Sequence, residues 1–140
     1  MSTEATKTIA RRHMERLNQR DLDGVLQLYT ADARCHGFAP EPLDRDGYRH
    51  SMGMLLAAFP DSRFTVDELI AEGDTVAIRH HMHGTHQGEF QGIPPTGKQV
   101  TVTAIGILHV VDDRIAETWL NADFLGLLQQ LGVIPAPSPA

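Results

Sequence analysis

Helices laid over one face of an antiparallel sheet, an α+β plan, is the architecture the sequence predicts. The apolar residues of roughly the first sixty positions recur every 3.6 residues, the period of a helix. The following sixty alternate with the period of a strand and are divided by turn residues. The chain has 140 residues, 41% of them hydrophobic, which is ordinary for one globular domain.

From about Glu4 to Asn18, residues Ile9, Ala10, His13, Met14 and Leu17 share one side of a helix, with Ser2 or Thr3 as candidate cap. Asp21 can cap a second helix, on which Leu22, Val25, Leu26 and Tyr29 share a face. The stretch ADARCHGFAPEPLDR reads as a short strand and a loop. A third helix begins near Asp46, lines up Tyr48, Met52, Leu55, Leu56 and Phe59, and stops at Pro60. Arg63 to Ala71 alternates, Gly73-Asp74 marks a hairpin turn, and Thr75 to about His86 returns. The segment QGEFQGIPPTGK is too broken by Gly and Pro to be a central strand. Gln99 to Val111, a turn at Asp112-Asp113, and Arg114 to Asn121 continue the sheet. A short helix holding Phe124, Leu127, Leu128 and Leu131 ends at Gly132. The domain is therefore expected over residues 1–132, with 133–140 (VIPAPSPA) as an extended Pro-rich tail. Each helix has one apolar stripe to bury, so a curved sheet with helices over its concave side would enclose a blind pocket for a small molecule.

Charge and composition narrow the partners. Twelve Lys+Arg against 18 Asp+Glu give a net charge of −6, which argues against nucleic acid as a partner. No apolar run reaches the roughly 20 residues of a membrane span, and the N-terminus lacks the pattern of a secretion signal. A single cysteine, Cys35, excludes an internal disulfide and fits a cytoplasmic location. Dinucleotide, Walker and serine-elbow motifs are missing.

GTHQGEFQGIPPTGKQV and IAETWLNADFLGLLQQLG, together with AFPD at Ala58–Asp61 and Leu28-Tyr29 ahead of Asp32 and His36, resemble the SnoaL-like polyketide cyclase or ester cyclase family. That family lies in the nuclear-transport-factor-2-like superfamily, and the resemblance runs from about Thr8 to Gly132. It implies a cone-shaped fold and ring closure by intramolecular aldol condensation, without metal or cofactor, using a buried carboxylate. It also implies a homodimer formed through the outward sheet face. Aligned without gaps, the founding cyclases' catalytic aspartate falls at Leu120, and their polar strand partners fall at Ala104 and Gly106. None of these three side chains can transfer a proton.

Candidate chemistry must then come from other residues. Asp123, at a pocket wall beside Trp119, Leu120 and Phe124, would be desolvated and raised from about 3.9 towards the range of a general base. Standing just ahead of FLGLLQQLG, it is equally suited to an N-cap. The resemblance implies that the strand of His36 edges the pocket mouth, where its imidazole would pass a proton or hold a carbonyl, or else be bonded to backbone. On the third strand Val76, Ile78, His80 and Met82 share the apolar face, so His80 is the histidine expected to see the pocket. His81 and His83 then point outwards; His-x-His suits a metal, but a third ligand would have to be His86 or His109, and a surface patch is preferred. Tyr48 on the inward helix stripe would donate to an oxyanion, Met52 shares that stripe, and Trp119 and Phe38 would shape the cavity. Ala104 and Gly106 leave room for a ligand or for Trp119. Cys35 reads as a buried structural thiol.

The leading expectation is cofactor-free acid/base catalysis, cyclising or isomerising a small apolar carbonyl compound. Asp123 would be the base, and His36 or His80 would polarise the carbonyl. The alternative is a non-catalytic small-molecule-binding protein, for which Leu120, Ala104 and Gly106 argue. Epoxide hydrolysis is less favoured, since Arg79 and Arg114 are expected to face outwards.

Overall fold

The structure, a computed structural model, describes residues 2–135, so residues 136–140 of the expected tail lie outside the described residues. Helix α1 (Thr3–Asn18) is capped by the Ser2 hydroxyl, which accepts from the Ala5 N–H, and it buries Ile9, Ala10, His13, Met14 and Leu17. Asn18 ties its end to the sheet through both amide atoms: the carbonyl accepts from the Phe64 N–H (2.7 Å) and the amide donates to the Phe64 carbonyl (2.9 Å). Helix α2 is only Leu22–Leu26, and β1 (Tyr29–His36) begins earlier than expected, so Tyr29 belongs to a strand. Helix α3 (Arg45–Ala58), capped by Asp44, buries Tyr48, Met52 and Leu56 at four-residue spacing.

Strands β2 (Arg63–Glu72), β3 (Thr75–Thr85), β4 (Gln99–Val111) and β5 (Arg114–Ala122) form an antiparallel meander, and α4 (Phe124–Gln130) closes the chain. The sheet order is β1-β5-β4-β3-β2. One expectation is corrected here: β1 pairs with β5 in parallel, so the sheet is mixed. A helix separates β1 from the meander, and β1 docks on the free edge of the last strand instead of forming a hairpin.

Parity divides the sheet cleanly. Val76, Ile78 and Met82 of β3, Val100, Val102, Ala104 and Leu108 of β4, and Thr118 of β5 are buried under the helices. The opposite face is open among the described residues. There Ile105, Ile107 and Trp119 are 54%, 39% and 41% exposed, with Ile107 and Trp119 directly paired across β4 and β5.

Two of the motifs turn out to fasten the shell. In AFPD, the Asp61 carboxylate accepts from both the Thr85 N–H and the Thr85 hydroxyl at 2.7 Å, clasping the end of α3 to β3. These bonds also hold its carboxyl below the usual range. In the PPTGK segment, Thr96 donates its N–H to Nδ1 of the fully buried His86 (3.2 Å), while the Gly97 N–H reaches the His86 carbonyl (2.9 Å). The connection from Gln87 to Lys98 is thus pinned at its base.

Candidate active site

Between the helices and the inner sheet face lies a cavity of about 430 Å³. Its wall is largely aliphatic and aromatic, with contributions from Met14, Leu17, Met52, Phe64, Ile78 and Val102. Lysine and arginine do not contribute to its lining. The exposed lining residues His50, Met54, Glu89, Gln91 and Phe124 mark the mouth, between α3, the 87–98 connection and the start of α4.

Polar groups are few and clustered. His13 from α1, Tyr29 from β1 and Tyr48 from α3 meet deep inside, each no more than 6% exposed. The Tyr29 hydroxyl lies 2.8 Å from Nε2 of His13, and the Tyr48 hydroxyl lies 3.1 Å from the same nitrogen. Burial, and secondarily the proximity of His80, push His13 down to about 4, so its imidazole is neutral at physiological pH. Burial raises both phenols above their ordinary value, so they stay protonated. His80, half-buried on β3 opposite Ala104, completes the set. Its pKa is also lowered, chiefly by burial, with the backbone at Ile78 and the charge of Asp67 opposing. Nδ1 of His80 is buried without a hydrogen-bond partner of ordinary geometry.

The residues singled out in the sequence divide between the two faces. His80, Tyr48, Met52, Phe38, Leu120, Ala104 and Gly106 line the cavity. Phe38 stands edge-on to Tyr48 with ring centres 5.1 Å apart. Leu120 lies over Gly106, where a Cβ would sit 3.7 Å from Leu120 Cδ1 and 3.3 Å from the Trp119 carbonyl oxygen. The space left beside Gly106 is therefore partly taken by Leu120.

Three placements differ from expectation. Asp123 is exposed and absent from the cavity wall; it is the N-cap of α4, its carboxylate accepting from the Gly126 N–H at 2.8 Å. The register with β4 runs without a shift from Glu117 to Ala122, so strand parity turns Asp123 away from Leu120. His36 lies on the open face instead of at the mouth, because Tyr29, Ala33 and Cys35 take the inward positions of β1. There its ring stacks on Trp119 (centres 5.3 Å apart, 6° between planes), and Nε2 is 2.6 Å from the Glu117 carboxylate. Trp119 borders the cavity, but its ring belongs to that open-face stack.

Two other outward histidines, His81 and His83, also have partners. His81 is 2.8 Å from the Asp67 carboxylate, and His83 is 3.1 Å from the Thr101 hydroxyl. Among the described residues, no group of three His, Cys, Asp or Glu side chains is placed to hold a metal ion. The Cys35 thiol is buried, and burial pushes it up, away from thiolate chemistry. Sequence reasoning passed over His13 and Tyr29. The available signal was a histidine inside an otherwise apolar helical stripe, Ile9-Ala10-His13-Met14-Leu17.

A helix-covered sheet enclosing an apolar blind cavity with a few buried polar groups is the architecture of a small-molecule site. The chain belongs to the SnoaL-like polyketide cyclase family, whose sequence profile it matches over residues 7–131. It is 28% identical over 145 residues to the aklanonic acid methyl ester cyclase DnrD of Streptomyces peucetius, covering 99% of this chain and 97% of that protein. In structure it resembles AclR of Streptomyces galilaeus, described as a candidate hydroxylase, with a TM-score of 0.90 and 30% identity over 98% of this chain and 87% of that one. IdmH of Streptomyces antibioticus, described as a candidate polyketide cyclase, superposes with a TM-score of 0.81 and 34% identity over 91% of this chain and 98% of its own.

Proposed function

We propose that the protein is a cofactor-free acid/base enzyme that cyclises or isomerises a small, apolar, polyketide-like carbonyl compound. The observation that carries this is His80, a half-buried imidazole of lowered pKa on the wall of an apolar cavity. A neutral imidazole there is a base at neutral pH, placed to accept a carbon-bound proton from a ligand in the cavity. His80 takes the proton from the carbon beside a ketone, leaving an enolate whose oxygen lies within the reach of the buried polar groups. The enolate carbon then attacks a second carbonyl of the same molecule, and the imidazolium returns the proton to the new alkoxide. In isomerisation the proton returns to a different carbon. Proton and charge balance in both cases.

The lining suits a neutral compound. A carboxylate would be desolvated without lysine or arginine to pair with, close to Glu89 at the mouth. Aklanonic acid methyl ester, named for DnrD, is therefore the first compound to offer. Wild-type protein should convert it to a product of unchanged mass, while His80→Ala should lose roughly 100-fold or more in turnover and keep its thermal transition. Turnover surviving in His80→Ala would contradict the assignment. Binding without turnover in the wild type would favour the non-catalytic ligand-binding reading, and a product gaining one oxygen atom would favour hydroxylation.

The open sheet face bearing Ile105, Ile107 and Trp119 is proposed to be covered by a second copy, giving a homodimer. No helix among the described residues is long and apolar enough to cross a membrane. With its one buried thiol, a cytoplasmic location is proposed.

A further inference from the structure

At the deep end of the cavity the hydrogen-bonding capacity of three buried groups is not used up within the protein. Nε2 of His13 is within bonding distance of both the Tyr29 and Tyr48 hydroxyls, while Nδ1 is buried without a partner. The two phenol rings also pack against each other, with centres 5.2 Å apart. A neutral imidazole has one N–H and one lone pair, and each phenol has one O–H. With the proton on Nδ1, the Nε2 lone pair takes one phenol O–H, and the Nδ1–H has no acceptor. With the proton on Nε2, that N–H goes to a phenol oxygen, and neither phenol can then donate to the nitrogen they share. Either way at least one donor remains, in a place where the remaining wall is apolar and an unmet donor is costly.

We propose that His13, Tyr29 and Tyr48 form an oxygen-binding pole, which takes a ketone or enol oxygen of a planar apolar ligand at the closed end of the cavity. The pole stays uncharged because burial keeps the imidazole neutral and the phenols protonated. It therefore accepts a neutral oxygen at no cost in ionisation. In catalysis it sits where an enolate oxygen would develop charge, and a donor fixed in advance is most effective there. His80, on the sheet side, is left free to handle the proton. The inference rests on reading this cavity as the ligand site, but it is tested by binding alone, so failure of turnover and failure of the pole are separate results.

The probes are 2-naphthol and naphthalene, which differ by one hydroxyl that can both donate and accept. Wild-type protein should bind 2-naphthol several-fold to about tenfold more tightly, the usual worth of one buried hydrogen bond. In His13→Leu/Tyr29→Phe/Tyr48→Phe the order should invert, because the hydroxyl is then buried without a partner, and naphthalene binding should persist. Equal or tighter binding of naphthalene by the wild type would overturn the proposal, as would an unchanged preference in the folded triple variant. If that variant does not fold, nitrogen-15 NMR of histidine-labelled wild type decides. The His13 side-chain nitrogens should shift with 2-naphthol and not with naphthalene, and no shift with 2-naphthol overturns the assignment.

Discussion

Buried His13 and half-buried His80 are both held below the ordinary histidine value, and this sets how the protein should respond to acid. In the unfolded chain a histidine titrates near 6.5, while His13 in the folded protein titrates at about 4. Between those values the unfolded state binds the extra proton. Stability is therefore complete above about pH 6.5 and falls as pH drops towards 4, by up to about 3 kcal/mol for His13 alone. Urea unfolding at a series of pH values should show this slope, and His13→Phe should flatten it; an unchanged slope would assign the loss to other groups. Catalysis should follow the same sign for a different reason. His80 must be neutral to accept a proton, so kcat/KM should be level at neutral pH and decline only below pH 6.5, where the lowered pKa of His80 lies. An acid limb above pH 6.5 would point to another base.

Among the elements, the end of β5 and the start of α4 show what separates a cap from a catalytic carboxylate. Asp123 spends one carboxylate oxygen on the Gly126 N–H and is otherwise exposed. Asp123→Ala should therefore cost about 1 kcal/mol of stability, as loss of an N-cap does, and leave turnover close to wild type. A collapse of turnover with unchanged unfolding would restore Asp123 as the base. That residue also marks where the sequence stopped being informative. The positions of α1, α3 and the β2–β5 meander followed from period and turn residues alone, and parity placed His80 inwards and His81 and His83 outwards. Parity could not choose which face of β5 was inner. That choice depends on pairing with β4, where Leu120 lies opposite Gly106 and Trp119 opposite the exposed Ile107. The meeting of His13, Tyr29 and Tyr48 was hidden for a related reason. The three come from α1, β1 and α3, up to 35 positions apart, and no local period brings them together. His36 was misplaced because its position at the mouth came from the family resemblance, while Tyr29, the first inward residue of β1, was read as helical.

For the molecule as a whole, the sheet has two faces of different character. The inner face, with the helices, encloses a cavity at whose deep end burial holds His13, Tyr29 and Tyr48 uncharged. The outer face collects His36, His81, His83 and Trp119 around an apolar strip. Ile107→Lys on that strip should shift the proposed homodimer to monomer in light scattering after gel filtration, without altering 2-naphthol binding. A wild-type monomer would refute the dimer and leave the cavity untouched. The central claim concerns the inner face: His80 removes a proton from carbon inside an apolar cavity. Incubating the protein with 2-tetralone in deuterium oxide and following the protons beside the ketone by NMR tests this without knowing the natural substrate. Wild-type protein should accelerate deuterium incorporation well above the buffer rate, and His80→Gln should reduce it to that rate. Equal incorporation by the two proteins, or none above buffer by the wild type, would contradict the account.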